Sequence, residues 1–415
     1  PASPHFGGYY LTPGCRQVGI GWALLCHPRL KEDVMRVMIL AMVAGIGCNG
    51  NKDGGGGNTK GLDAFGNGSN DISKVTVTEI ANSDDGLDVP RDLEFNPDVE
   101  GELWIINRAD DSVTVVFDAG TDSQDSTHII DTYALHFMEE PSSISFGAAT
   151  YSGSDSLTFG TCQESRNTYN DQGPPNDFMG PALWSADLDV FGESNPEAIE
   201  HNTQVFGFYA DLGSHLDMLH ESPLCMGIAW ETENVYWVFD GSDGTIVRYD
   251  FASDHDLGYD DHTDGVVSRF IEAEVERVED VPSHMDIDHA TGLLYIADTG
   301  NSRITVLDTT TGEEGDRLSA SEPGVDHHEM EGVTYSTFID GSEFGLGQPS
   351  GLTLIDGYLL VTDHANGNLF AFDLEGNLVD WMPTGLEGLM GVDARSIDDI
   401  WVVDAADDKV FRIQP

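Results

Sequence analysis

LLYIADTGNSRITVL, Leu293 to Leu307, reads as two strands and the turn between them. Leu293 to Ala297 is an unbroken apolar run, Asp298 to Ser302 is polar and turn-forming, and from Arg303 polar and apolar residues alternate as in a half-buried strand. The chain repeats this unit as ELWIINRADDSVTVVF from Glu102, VYWVFDGSDGTIVRY from Val235, YLLVTDHANGNLFAF from Tyr358 and DIWVVDAADDKVFRI from Asp399. The first strand ends in Asp240, Asp298, Asp363 or Asp404, and in Asn107 in the first copy. These carboxylates are suited to accepting turn amides. One such hairpin cannot bury its own apolar face and needs neighbours to cover it.

A shorter apolar strand precedes each hairpin, usually behind a Pro: VPRDLEF at Val89, EPSSISF at Glu140, SPLCMGIAW at Ser222, VPSHMDID at Val281, QPSGLTLI at Gln348 and, without the Pro, GLMGVDA at Gly388. Further β-rich stretches follow most hairpins, as in HIIDTY at His128, VVSRFI at Val266 and NLVDWM at Asn377. Six such repeats predict an all-β, six-bladed propeller of four-stranded blades. The sixth repeat is one strand short at Pro415, and KVTVTEI at Lys74 is a spare strand. Pairing the two closes the ring and removes its exposed edges. Blade two is irregular, with an insertion over 163–223, and long excursions of this kind are commonly functional loops.

The Pro-led inner strand and the ADTGNSRI turn resemble those of NHL-repeat propellers of the bacterial secreted or lipoprotein type, over roughly Lys74 to Pro415. The resemblance implies a fold. It does not choose among the lyases, lactonases, dehydrogenases and binding scaffolds that share it.

Before the propeller, residues 1–34 carry no blade pattern and are set aside as a leader or translated upstream sequence. Residues 35–48 include RVMILAMVAGIGC, basic and then apolar, too short to span a bilayer and similar to an export signal. GIGC resembles a bacterial lipobox, which makes Cys48 the lipidation candidate and a lipid anchor the expected link to a membrane. Residues 49–72, with GGGG, read as a flexible linker, and 73–415 as the propeller. The expected location is therefore periplasmic, at the cell surface as a lipoprotein, or secreted. With Cys15 and Cys26 in the leader, Cys162 and Cys225 remain and are expected to form a disulfide. The chain holds 18 Lys and Arg against 74 Asp and Glu, a net charge of −56. Such a surface repels phosphate backbones and anionic lipid, so nucleic acid is excluded as a partner. A small molecule or a protein is the expected ligand.

Propeller topology sorts the polar clusters onto two faces. Loops into the inner strands and the hairpin turns place Arg91, Asp92, His215, Met218, His220, Met226, His284 and His364 on one face. In the amidating lyases that the chain resembles in part, channel-mouth His residues hold a catalytic zinc, and His284 occupies that kind of position; Ser142, Ser350 and Met390 stand at the equivalents. A His-lined metal site of His220, His284 and His364, with Arg91 and Asp92 beside it, would support a lyase or hydrolase; Met218 and Met226 would favour copper(I). On the opposite face SDHDLGYDDHTDG, Ser253 to Gly265, carries Asp254, Asp256, Asp260, Asp261 and Asp264 around Gly258, a composition suited to calcium. Within it His255 and His262 would recruit a transition metal instead. VDHHEMEG at Val325 is expected on that same face, and Arg166 and Tyr169 are candidates to orient an anion. No nucleophile elbow, Walker loop or dinucleotide fingerprint is present. These readings leave a ligand- or protein-binding module first and a metal-dependent enzyme second.

Overall fold

The computed structural model describes residues 61–168 and 173–415; the leader, the lipobox-like segment with Cys48, most of the linker and Tyr169 lie outside them. The described chain is a six-bladed β-propeller. Blade one is Pro90–Phe95, Leu103–Asn107, Ser112–Phe117 and Asp125–Ile130, each strand antiparallel to the next. The inner strands of the remaining blades are Pro141–Phe146, Cys225–Thr232, Met285–Asp288, Pro349–Ile355 and Leu389–Ser396. The outer strand of blade six is Thr76–Ala81, which pairs antiparallel with Lys409–Gln414, from Thr76 opposite Gln414 to Ala81 opposite Val410.

The hairpins form for a local reason that recurs. Four residues after the strand-ending Asp or Asn, the chain turns through a positive φ: Asp111 (57°), Gly244 (69°), Ser302 (54°), Gly367 (61°) and Asp408 (53°). Gly takes this conformation freely, and Asp is among the side chains that tolerate it. The buried Asp residues do more than shape the turn. Asp298 accepts from the amide of Glu276 at 2.9 Å, Asp363 from those of Gly347 and Gln348, and Asp404 from that of Gly388. Asn107 does the same for Asp88. Each pins the loop that leads into its own blade's inner strand.

Two blades depart from the pattern. In blade two the insertion supplies the third strand, Ala182–Ser185, and a fourth of two residues, Asp217–Met218, with helix Pro196–Phe206 between them. In blade four the chain leaves after Arg303–Asp308, forms the hairpin Glu313–Arg317 and Asp326–Glu331, and returns as the outer strand Thr334–Asp340. That hairpin belongs to blade three, because Asp326–Glu331 runs parallel to Val266–Glu274 and extends its sheet to six strands. The segment at Val325 is thus an edge strand rather than a face loop.

The flexible linker expected up to residue 72 ends sooner. Phe65 is fully buried against blades five and six, and Asp380 accepts from the amides of Leu62 and Gly68 at 2.9 and 3.0 Å. Cys162 and Cys225 are bonded, with Cα atoms 5.0 Å apart, and join blade two to the inner strand of blade three.

Around the axis the inner strands pack as one closed ring. They come so close that three inner positions admit no side chain. A Cβ on Gly227 would lie 2.2 Å from the Ser283 carbonyl oxygen, on Gly351 2.2 Å from that of Met390, and on Gly391 2.7 Å from Asp92 Cα. Gly351→Ala therefore has to part blades five and six. We expect a loss of about 1–3 kcal/mol, as for other overpacked cores, read as a drop in the denaturant midpoint; an unchanged midpoint would mean the ring yields at this seam.

Candidate functional site

The channel is narrow, a cavity of about 80 Å³ lined by Asp92, Glu94, Asp286 and Asp393. These carboxylates are structural. Glu94 accepts from the amide of Phe146 in blade two at 2.9 Å, Asp286 from that of Leu354 in blade five at 2.8 Å, and Asp393 from that of Phe95 in blade one at 2.9 Å. Ser145 does likewise for Trp230 in blade three at 3.1 Å. All four occupy the same place in the repeat, and each ties its blade to the next. Asp92 repeats the device one step along, accepting from Ile144 at 3.1 Å. Burial raises the pKa of Asp286 to about 7 and of Asp393 to about 6, and pushes Glu94 well up.

The three His candidates for a channel-mouth metal do not converge. His284 sits at the axis, with Nε2 3.1 Å from the Ser142 carbonyl oxygen and Nδ1 3.5 Å from Asp92. His364 points Nδ1 at the Leu389 carbonyl, while His220 pairs with His136 and Glu322. The three share no partner, because each closes the loop structure of a different blade. Of the two thioether candidates, Met226 Sδ accepts from Arg277 at 3.0 Å; Met390 Sδ, at the inner-strand position of blade six, accepts from Arg91 at 3.4 Å. Arg91 instead joins Arg108 and Arg277 around the buried Glu164, at 3.8, 3.3 and 3.5 Å. Arg166 is held by Asp177 at 2.6 Å.

Among the described residues, no three carboxylates of the Asp-rich loop converge on one point. Asp254 accepts from the amide of Asp256, Asp256 from Leu257 and the Tyr151 hydroxyl, and Asp261 from Thr263, so each shapes a local turn. The loop folds along the outer edge of blade two, where Gly258 N–H bonds to the His215 carbonyl at 2.9 Å and His255 N–H to that of Leu216 at 3.2 Å. The His residues expected on opposite faces are thereby brought together.

What assembles there is a cluster of five His residues with four carboxylates. His262 Nδ1 is 2.7 Å from Asp217 Oδ1, and its Nε2 is 3.2 Å from Asp260. His255 Nε2 lies 3.1 Å from Asp217 Oδ2 and 3.2 Å from Asp264. His220 Nδ1 is 2.9 Å from Glu322, its Nε2 is 3.1 Å from His136 Nε2, and its ring stacks on Phe178 at 3.7 Å. His215 donates from Nδ1 to the Leu212 carbonyl and stacks on Phe137 at 3.6 Å, leaving a fully buried Nε2 without a hydrogen bond.

Electrostatics divide the five rings. Burial alone would depress His262, but its bonds to Asp217 and Asp260 outweigh burial and push its pKa to about 10. Burial also acts on His255, and the Asp217 contact carries it upward. His215 and His136 are driven by burial to about 3, and His220 is driven far down by burial and by the charge on His262. An imidazolium flanked by carboxylates thus stands beside neutral rings.

Among the described residues, one set of three His, Cys, Asp or Glu side chains offers ligand atoms all within 4.8 Å of one another: Asp217, His255 and His262. Asp217 was not visible as a site residue in the sequence, and neither were His136 and Glu322. The alternation of His215, Asp217 and His220 was the available signal. Asp260 and Asp264, read as calcium ligands, flank this set instead.

No family model and no curated protein matches the chain. Solved structures do. A structural genomics protein of unknown function from Bacteroides thetaiotaomicron is 12% identical with a TM-score of 0.45, covering 82% of this chain and 76% of that one. An auxiliary nutrient binding protein from Bacteroides ovatus gives 12%, 0.46, 82% and 76%. Regucalcin, a calcium-binding protein from Agrobacterium tumefaciens, gives 12%, 0.45, 80% and 93%. At these identities the likeness concerns the fold alone. Among the described residues no helix is long and apolar enough to cross a membrane.

The channel carboxylates make a prediction about pH. Asp286 has a folded pKa of about 7 against its ordinary 3.8, so the folded state holds the proton more tightly than the unfolded one. Its contribution is fully present below the ordinary value and is lost as pH rises through about 7. Asp286→Asn keeps an oxygen for the Leu354 amide and abolishes this titration. The variant should show a flatter stability profile across that window and gain up to about 4 kcal/mol at neutral pH. A profile identical to the parent's would mean that the carboxylate is solvated and ionised in the fold.

Proposed function

We propose that this protein is an exported binding propeller whose working region is the flank of blades two and three, organised by a divalent transition-metal ion on Asp217, His255 and His262. The observation that carries the reading is the approach of two imidazole nitrogens and one carboxylate within 4.8 Å. Two nitrogens and an oxygen are the donor set of zinc and its neighbours rather than of calcium. The surroundings fit such an ion. His262 presents Nδ1 to the site and gives its other nitrogen to Asp260, the carboxylate support that metal-bound His residues commonly have. Asp217 Oδ2 and His255 Nε2 are buried without a well-aligned hydrogen bond, although they lie 3.1 Å apart. Asp217, Asp260 and Asp264 supply the negative charge that a dication balances.

The ion would hold the Asp-rich loop to the two-residue edge strand Asp217–Met218, so it would order the ligand-facing surface and displace the proton of His262. Isothermal titration of the full chain with zinc should give one site per chain. His262→Ala and Asp217→Asn should each weaken it by at least about tenfold, and Asp254→Asn should leave it alone. A hundredfold excess over Kd should stabilise the fold by about 2.7 kcal/mol, reversed by a chelator. Calcium at matched ionic strength should do no more than sodium. Zinc binding that survives both the Asp217 and the His262 substitutions would sink this reading.

A further inference from the structure

Beside the His cluster, and separate from its metal-ligating set, lies a cleft of about 560 Å³. Its walls come from the turn of blade three, the outer strand Val266–Glu274 and the hairpin that blade four contributes. That volume is in the range of small-molecule sites. Its apolar lining is Pro223, Ile271 and Leu318, and the remainder is polar and rich in carboxylates.

The charges in the cleft can be assigned one at a time. Arg269 bonds to Asp240 at 2.8 Å, Thr245 at 2.9 Å and the Glu221 carbonyl at 2.6 Å, and lies 3.4 Å from Asp243. Asp177 is matched by Arg166. Glu221, Glu329 and the exposed end of Asp243 are left with no full cationic partner of their own. Glu221 is 9% exposed and faces Ser321 and, at 3.5 Å, His327 Nδ1. Burial raises the Glu221 carboxyl to about 7 and outweighs the two hydrogen bonds from Ser321 and the Arg269 charge.

His327 fixes what would complete the site. It is 5% exposed and lines the cleft. Its Nδ1 lies 3.0 Å from the Ser319 carbonyl oxygen, which can only accept, so Nδ1 carries the proton and Nε2 is a bare lone pair. That Nε2 is buried and has no hydrogen-bond partner. A buried acceptor without a donor, on a ring that stands 3.5 Å from a carboxyl with no ion-pair partner of its own among the cleft residues, calls for a donor that carries positive charge.

We propose that this cleft binds an aliphatic primary ammonium compound, with its hydrocarbon body along Pro223, Ile271 and Leu318 and its ammonium group at Glu221 and His327. An ammonium group brings three donors and a positive charge for the Glu221 carboxylate and the His327 lone pair, and the largely exposed Asp243 receives a second cationic end. A carboxylate or phosphate ligand would meet Asp240, Asp243, Glu221 and Glu329, and the one Arg in the lining already bonds to Asp240, Thr245 and the Glu221 carbonyl. The −56 background concentrates cations at the mouth without selecting among them, so selectivity has to come from the cleft itself.

The test is calorimetric titration of the full chain with 1,5-diaminopentane, beside 1,5-pentanediol as the neutral analogue of equal length, at fixed ionic strength. The diamine should bind at one site and the diol should not. Glu221→Gln and His327→Phe should each weaken the diamine by at least about tenfold, and Asp243→Asn, at a side chain that is 64% exposed, by a few-fold. Glu313→Gln, on a remote acidic edge, controls for general attraction. Adding zinc should leave the diamine affinity unchanged, which separates this site from the metal reading on which it does not depend. Equal binding of the diol, or diamine binding that none of the three cleft substitutions changes, would overturn the proposal.

Discussion

The propeller depends on hydrogen bonds that cross between blades at the axis. Glu94, Ser145, Asp286 and Asp393 each reach from one inner strand to an amide of the next. Inner strands of adjacent blades do not form a shared ladder, so amides that face the channel need acceptors from somewhere else. Side chains provide them. The close approach that makes these bonds possible is the same one that empties positions 227, 351 and 391 of everything but glycine. Acceptor and glycine are two halves of one arrangement. The first spans the gap between neighbouring strands, and the second lets the gap be small.

This arrangement also sorts the acidic residues, which composition alone treats as one solvated shell. A minority are buried and bonded to amides, either along the axis or at strand ends such as Asp298, Asp363 and Asp404. Along the axis burial raises the pKa of Asp92, Glu94, Asp286 and Asp393. The few cations are equally concentrated: Arg91, Arg108 and Arg277 surround Glu164, and Arg269 is locked in blade three. Charge in this protein is structural inside and undirected outside, and the His cluster on the flank is where the two regimes meet.

Much of the fold was legible because the repeat states it several times. The hairpin motif, the strand-ending Asp and the Pro-led inner strand each have a local physical cause, and local causes leave local patterns. The strand at Lys74 was readable from the count of strands alone. The site was less legible, since its geometry depends on a long-range event. His215 and His262 were assigned to different faces on topology; nothing near Ser253 announces that its loop lies back against a two-residue strand of the preceding blade. The edge hairpin after Asp308 was hidden for the same reason, because it pairs with a blade other than its own. Asp residues in the loop suggested calcium by composition, yet most of them bond to amides within two or three positions, which is what Asp does in turns.

The pairing of Thr76–Ala81 with Lys409–Gln414 joins residues more than three hundred positions apart. Blades one and five can form from neighbouring strands as soon as those strands exist, but blade six cannot be finished until nearly the whole chain is present. Folding of such non-local pairings is slow in general. Until then the spare strand has an open edge and the ring has a gap opposite it. The interval between the last hairpin and ring closure is therefore when two copies could exchange this strand, and a swapped dimer would reproduce every contact of the monomer.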